Sequence, residues 1–127
     1  MPAKHLVPMK TYLFLLHGPD YAHRGFSPEE LQSRMGQWFA WTDRLRQAGA
    51  YVAGEALHSP IREVTGEHDR VVTDKAGSEL KEIIGGFYIV RAADLAAATA
   101  LTEGFPDYDL GGRVEIRETV VFDGQDE

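Results

Sequence analysis

No cysteine occurs in the 127 residues, so disulfide staples, thiolate zinc sites and a cysteine nucleophile are all excluded. The absence fits a reducing compartment, and a cytoplasmic location is expected. Long apolar runs are missing too. Tyr12 to Leu16 is the longest after the N-terminal segment, far short of the roughly 18 residues that span a bilayer, so neither a signal peptide nor a membrane anchor is expected. Positive charge is scarce: 13 Lys and Arg against 20 Asp and Glu give a formal net charge of -7. A negative surface repels phosphate backbones, which makes nucleic acid a poor partner. There is no Gly-x-Gly-x-x-Gly after a strand, no Walker loop and no Gly-x-Ser-x-Gly elbow. The pair Gly85-Gly86 precedes a strand rather than a helix. Nucleotide binding and serine hydrolysis are disfavoured, and no cofactor is expected.

What remains suits one folded domain. Hydrophobic residues make up 43% and charged residues 26% of the chain, an ordinary globular balance at a length that buries a single core. Residues 1–9, with Pro2 and Pro8, read as a flexible leader and residues 123–127 as a frayed tail, leaving the domain at residues 10–122. Lys10 to His17 is a short apolar and aromatic run ended by Gly18-Pro19, the pattern of a strand buried on both faces. Ser27-Pro28-Glu29-Glu30 combines a polar cap, a proline at the first helical position and acids in the first turn. Leu31, Met35, Trp38, Trp41, Leu45 and Ala48 then draw an apolar stripe along a helix that Gly49 stops. Tyr51 to Leu57 and Arg70 to Thr73 read as strands joined by a polar connection, Ser59 to Asp69, where Gly66 supplies a turn. Gly86 to Val90 is a strand, Asp94 to Glu103 an alanine-rich helix, and Val114 to Phe122 a closing strand. This order predicts an α+β fold, ferredoxin-like βαββαβ with an antiparallel sheet and an extra ribbon.

Two helices cover only one face of such a sheet. The first strand and Phe87-Tyr88-Ile89-Val90 are apolar on both sides, so the other face is expected to meet a second copy, making a homodimer.

Ser27-Pro28-Glu29-Glu30, Gly54-Glu55, Val72-Thr73-Asp74, Glu79, Lys81-Glu82 and Gly86-Phe87-Tyr88 form a pattern over roughly residues 10 to 122. With it the chain resembles the YCII-related proteins of the DGPF type. The resemblance implies a ferredoxin-like subunit whose sheets pair face to face as a dimeric α+β barrel. It also carries departures. Where the namesake loop has Gly-Pro-Phe after its Asp, this chain has Lys75-Ala76-Gly77. Some smaller members carry a proposed pair, a His on the first helix and an Asp after the second. Ser27 to Ala48 contains no His, whereas Gly104-Phe105-Pro106-Asp107 does offer an Asp, so the dyad is not carried over. A dehalogenase acting on a chlorinated muconolactone is similar to this family too, and members are often encoded beside alternative sigma factors.

Candidate site residues gather in two places. His17, at the end of the first strand, has the side chain best suited to acid-base work near neutrality. Asp74, Glu79, Lys81 and Glu82 crowd one polar loop, from which Asp74 and Lys81 are candidates to orient a small polar ligand, with Tyr88 offering a hydroxyl at the pocket wall. The bland alternative for this loop is a solvated run of charges capped by an Asx turn. Glu55 sits in an apolar strand, where a carboxylate needs a partner, and Arg62, Lys81 and Arg117 are available. His58 follows three residues later and points to the opposite face if the strand continues. His5, His23 and His68 lie in loops without metal-like spacing, so no metal site is expected. Trp38, Phe39 and Trp41 read as core or dimer packing. Two functional readings follow. One is a small-ligand-binding or regulatory dimeric module, favoured by the missing dyad and the altered loop. The other is a small cytoplasmic enzyme doing acid-base chemistry on a small organic acid or lactone with His17.

Overall fold

A computed structural model describes residues 8–122. Most of the expected leader and all of the expected tail lie outside the described residues. The elements are β1 (Lys10–Gly18), α1 (Pro28–Gln47), β2 (Tyr51–Ala56), β3 (Ile61–Thr65), β4 (Val71–Lys75), β5 (Ile83–Ala92), α2 (Leu95–Ala100) and β6 (Arg113–Glu118), with 3-10 turns at Tyr21–His23, Gly77–Glu79 and Pro106–Leu110. Four strands form an antiparallel sheet in the order β2-β5-β1-β6, and β3 and β4 pair as a separate ribbon. Setting the ribbon aside, the sequence of elements is βαββαβ, the ferredoxin-like α+β fold. Among the described residues no helix is long and apolar enough to cross a membrane.

Local chemistry explains most boundaries. Ser27 accepts from the Glu30 amide and Glu30 reaches back to the Ser27 amide, a complete capping box that starts α1. Asp94 caps α2 more simply, its side chain accepting from the Ala97 amide. The polar connection expected from Ser59 to Asp69 holds a strand instead, because Ile61 to Thr65 pair residue for residue with Val71 to Lys75. The turn between them needs Gly66: its φ is +92°, and a Cβ there would lie 2.2 Å from the Asp69 carbonyl oxygen. Every residue of β3 is exposed, so the ribbon projects from the body. β6 ends at Glu118 rather than Phe122, where its partner β1 runs out at Lys10, and one further bond follows, from the Thr119 amide to the Thr11 carbonyl. The second helix also stops short, at Ala100, with the following turn closed by Gly104 at φ +93°.

The sheet has one packed face. Tyr12, Phe14 and Leu16 of β1 alternate toward the helices and meet Val90 and Ala92 of β5, Trp41 and Leu45 of α1, Ala98 of α2 and Phe105. Trp41 is fully buried, stacks on Tyr88 at 5.2 Å, meets Phe105 edge-on at 5.6 Å and donates its indole N–H to the Leu101 carbonyl. The apolar stripe of α1 is buried over its second half only. Leu31 and Met35 are exposed, and the first half of the helix overhangs the sheet. On the opposite face Leu13, Leu15, Phe87 and Ile89 are half-buried and register-paired, with both helices on the other side.

Two substitutions measure these terms. Ser27→Ala is expected to cost about 1 kcal/mol through the lost cap, and Trp41→Ala about 3–5 kcal/mol through the emptied core. Chemical denaturation of both variants checks the ranking, and an equal cost for the two would contradict it.

Candidate functional site

The overhang of α1 opens a cleft of about 910 Å³ between that helix, the Tyr21–His23 turn, β2 and β5. Small residues make the space. Gly54 lies opposite Tyr88, and a Cβ on it would sit 2.3 Å from the Tyr88 ring, so glycine lets the tyrosine lie flat across β2. Tyr88 is then fixed from three sides: Trp41 stacks on it, Tyr51 meets it edge-on at 5.3 Å, and its hydroxyl lies 2.6 Å from Thr42 Oγ1. Thr42 spends its single proton on the Trp38 carbonyl, so Tyr88 is the donor. Trp38, Phe39, Met35 and Phe105 add to the aromatic and apolar wall.

A buried carboxylate lies at one end. Asp107, 6% exposed, is delivered by the Pro106–Leu110 turn after α2. Trp38 Nε1 donates to the Tyr21 hydroxyl at 2.9 Å, and an indole N–H has no other role. Tyr21 therefore directs its own proton to Asp107 Oδ1. Arg34 Nη1 donates to the same oxygen at 3.2 Å and to the Pro106 carbonyl at 3.3 Å, while its Nη2 reaches Asp109 at 2.5 Å. Burial pushes the Asp107 carboxyl above its ordinary value, against the pull of Tyr21 and Arg34. Burial, and then the bond to Asp107, lift Tyr21 to about 12, so it remains a donor at neutral pH.

The rim is closed by packing rather than by charge. A Cβ on buried Gly77 would lie 2.4 Å from Ser59 Oγ and 2.5 Å from Asp20 Oδ2. Glycine at this position lets the loop after β4 rest on both. Asp20 also accepts from the Ala22 amide and pairs with His23, and although burial works against it, these bonds hold its carboxyl below the usual range.

The residues singled out from sequence divide between cleft and elsewhere. Tyr88, His58 and Glu55 border the cleft. His58 lies in the loop beyond β2 rather than on it, and Glu55 pairs in register with Phe87, which turns its side chain to the other face of the sheet. Glu55 makes no ion pair among the described residues, because Arg62 is taken by Asp74 and Arg117 by Glu115. Asp74 and Arg62 are bonded at 2.7 and 2.9 Å across the ribbon. Lys81 is exposed and outside the cleft lining. His17, 9% exposed, faces away from the cleft: Nε2 donates to Glu115 at 2.9 Å, and Nδ1 faces Arg113 and Glu82, each at 3.4 Å. Among the described residues no group of three or more His, Asp or Glu could hold a metal ion.

Tyr21, Arg34 and Trp38 were not singled out for chemistry from sequence, and Asp107 was set aside for want of a histidine partner. The structure gives it Arg34 from the first helix and Tyr21 instead. Because Tyr21 lowers the Asp107 pKa, Tyr21→Phe is expected to move the carboxyl's titration midpoint further up, read by carbon NMR of the side-chain carboxyl. A midpoint unchanged or lowered would contradict the arrangement.

A search among curated proteins finds no match. The family model described as "YCII-related domain" matches residues 9–123. That span includes the whole sheet, both helices and every residue of the cleft, and the chain belongs to the YCII-related family.

Proposed function

We propose that this chain is a small-ligand-binding module that works as a homodimer. The observation that carries the reading is the cleft itself: about 910 Å³, walled by Trp38, Tyr88, Tyr51 and Phe105, with a few fixed polar groups at one end. Concave, largely aromatic sites with sparse, oriented polar atoms are the usual form of small-molecule sites. The compact organic ligand enters beside Phe39, which is 68% exposed at the mouth. Pairing of two sheets through Leu13, Leu15, Phe87 and Ile89 covers an apolar surface the helices leave open, and the resulting dimer is a face-to-face α+β barrel.

A catalytic reading has one observation in its favour. Asp107 is a buried carboxyl with a raised pKa, hydrogen-bonded to a tyrosine, beside a cleft, a combination that favours acid-base chemistry. In that reading the acid or base is Asp107, and His17 is a member of the ion network on the other face of the sheet.

Two measurements test the proposal. Light scattering should give twice the chain mass for the native protein and a single chain mass for Leu15→Glu; a native monomer would refute the dimer. A thermal-shift panel of compact aromatic and alicyclic compounds should raise the melting temperature, with hits moving the Trp38 indole N–H resonance. A panel that shifts neither would count against the binding cleft.

A further inference from the structure

Asp107 presents two unequal oxygens. Oδ1 takes Tyr21 and Arg34 together. Oδ2 has no donor among the described residues, yet it is not sealed, since no buried side-chain polar atom there is left without a partner. Gly18, the last residue of β1, lies beside it: a Cβ there would stand 3.2 Å from Oδ2. Gly18 shares the cleft-facing side of β1 with Leu16, so the missing side chain lets its backbone lie close to the carboxyl, and a methyl there would crowd Oδ2.

The surroundings favour positive charge. The cleft is bordered by Asp20, Asp43, Glu55 and Asp107 against Arg46 and His58. Asp20 is paired with His23 and Asp43 with Arg46, whose guanidinium also lies 4.8 Å over the Tyr51 ring. Glu55 turns to the other face. Oδ2 of Asp107 is thus the buried carboxylate oxygen still open to a ligand, and rings of Trp38, Phe105 and Tyr88 stand around the same space. A carboxylate with aromatic faces nearby recognises a cation by charge, hydrogen bond and ring quadrupole together. Arg34 pairs with Asp107 through Oδ1, so the discrimination at this end lies in Oδ2, an acceptor that an ammonium can bond and a carboxylate ligand cannot.

Resting on the binding reading above, we propose that the cleft selects small organic ammonium ions: a compact apolar body bearing a primary or secondary amine, whose N–H donates to Asp107 Oδ2 beside Gly18.

Benzylamine, benzyl alcohol and benzoate share a body and differ in the head group, so calorimetric titration of the three against the native protein tests this directly. Benzylamine is expected to bind at least about tenfold more tightly than benzoate, with the Trp38 indole resonance moving on binding. Asp107→Asn should remove that preference. Should this variant fail to fold, Gly18→Ala carries the test, and its methyl should weaken benzylamine at least about threefold. Benzoate binding as tightly as benzylamine, with the Trp38 shift present, would overturn the ammonium assignment and leave the binding cleft standing. Benzylamine that binds Gly18→Ala as tightly as the native protein would overturn the role of Oδ2. Binding by none of the three would overturn both the assignment and the binding reading.

Discussion

The ion pair between Arg34 and Asp107, with Tyr21 and Trp38 joined to it, ties together three parts of the chain: α1, the turn after β1 and the turn after α2. The first half of α1 carries Leu31 and Met35 on its surface, and the helix contributes no buried residue before Trp41. Hydrophobic burial therefore anchors only the second half of the helix. The first half is held over the sheet by Arg34, which grips the turn after α2, and by Trp38, which grips the turn after β1. Both grips end on one carboxylate. A buried charge is tolerable only when paired and hydrogen-bonded, and here the paired carboxylate borders the cleft.

Strand alternation then separates two kinds of surface within a few ångströms. Leu16 and His17 are neighbours in β1, but Leu16 joins the core while His17 turns to the other face and meets Glu115, Glu82 and Arg113. A register shift between these two residues leaves Gly85 of β5 without a register partner in β1. Arg117 and His17 together hold Glu115 below the ordinary carboxylate range. The histidine with the chemistry most suited to catalysis is thus engaged in a charged network beside the apolar patch of Leu13, Leu15, Phe87 and Ile89, away from the cleft.

The fold was legible because its signals are local. Ser27 and Glu30 are three residues apart, alternation in β1 and β5 needs only neighbours, and the ribbon was visible in part through Val71 to Thr73. The site was not, because its pairs are distant: Tyr21 and Arg34 are 86 and 73 residues from Asp107. No spacing rule links them. The dense charges from Asp74 to Glu82 drew attention for the opposite reason, and several are satisfied close by. Asp74 pairs with Arg62 across the ribbon, and Glu79 caps its own turn at the Ala76 amide. The sequence did place Tyr88 at a pocket wall, which it lines, whereas Asp107 was set aside with the dyad.

A double-mutant cycle between Arg34→Met and Asp107→Asn, read by chemical denaturation, tests most directly whether this buried pair holds α1 in place. Each single change leaves a charge or a polar group without its partner, so the two effects should be strongly non-additive, with a coupling clearly above the roughly 0.2–1 kcal/mol of exposed ion pairs. Additive effects would mean that the pair is incidental and that the cleft owes its shape to something else.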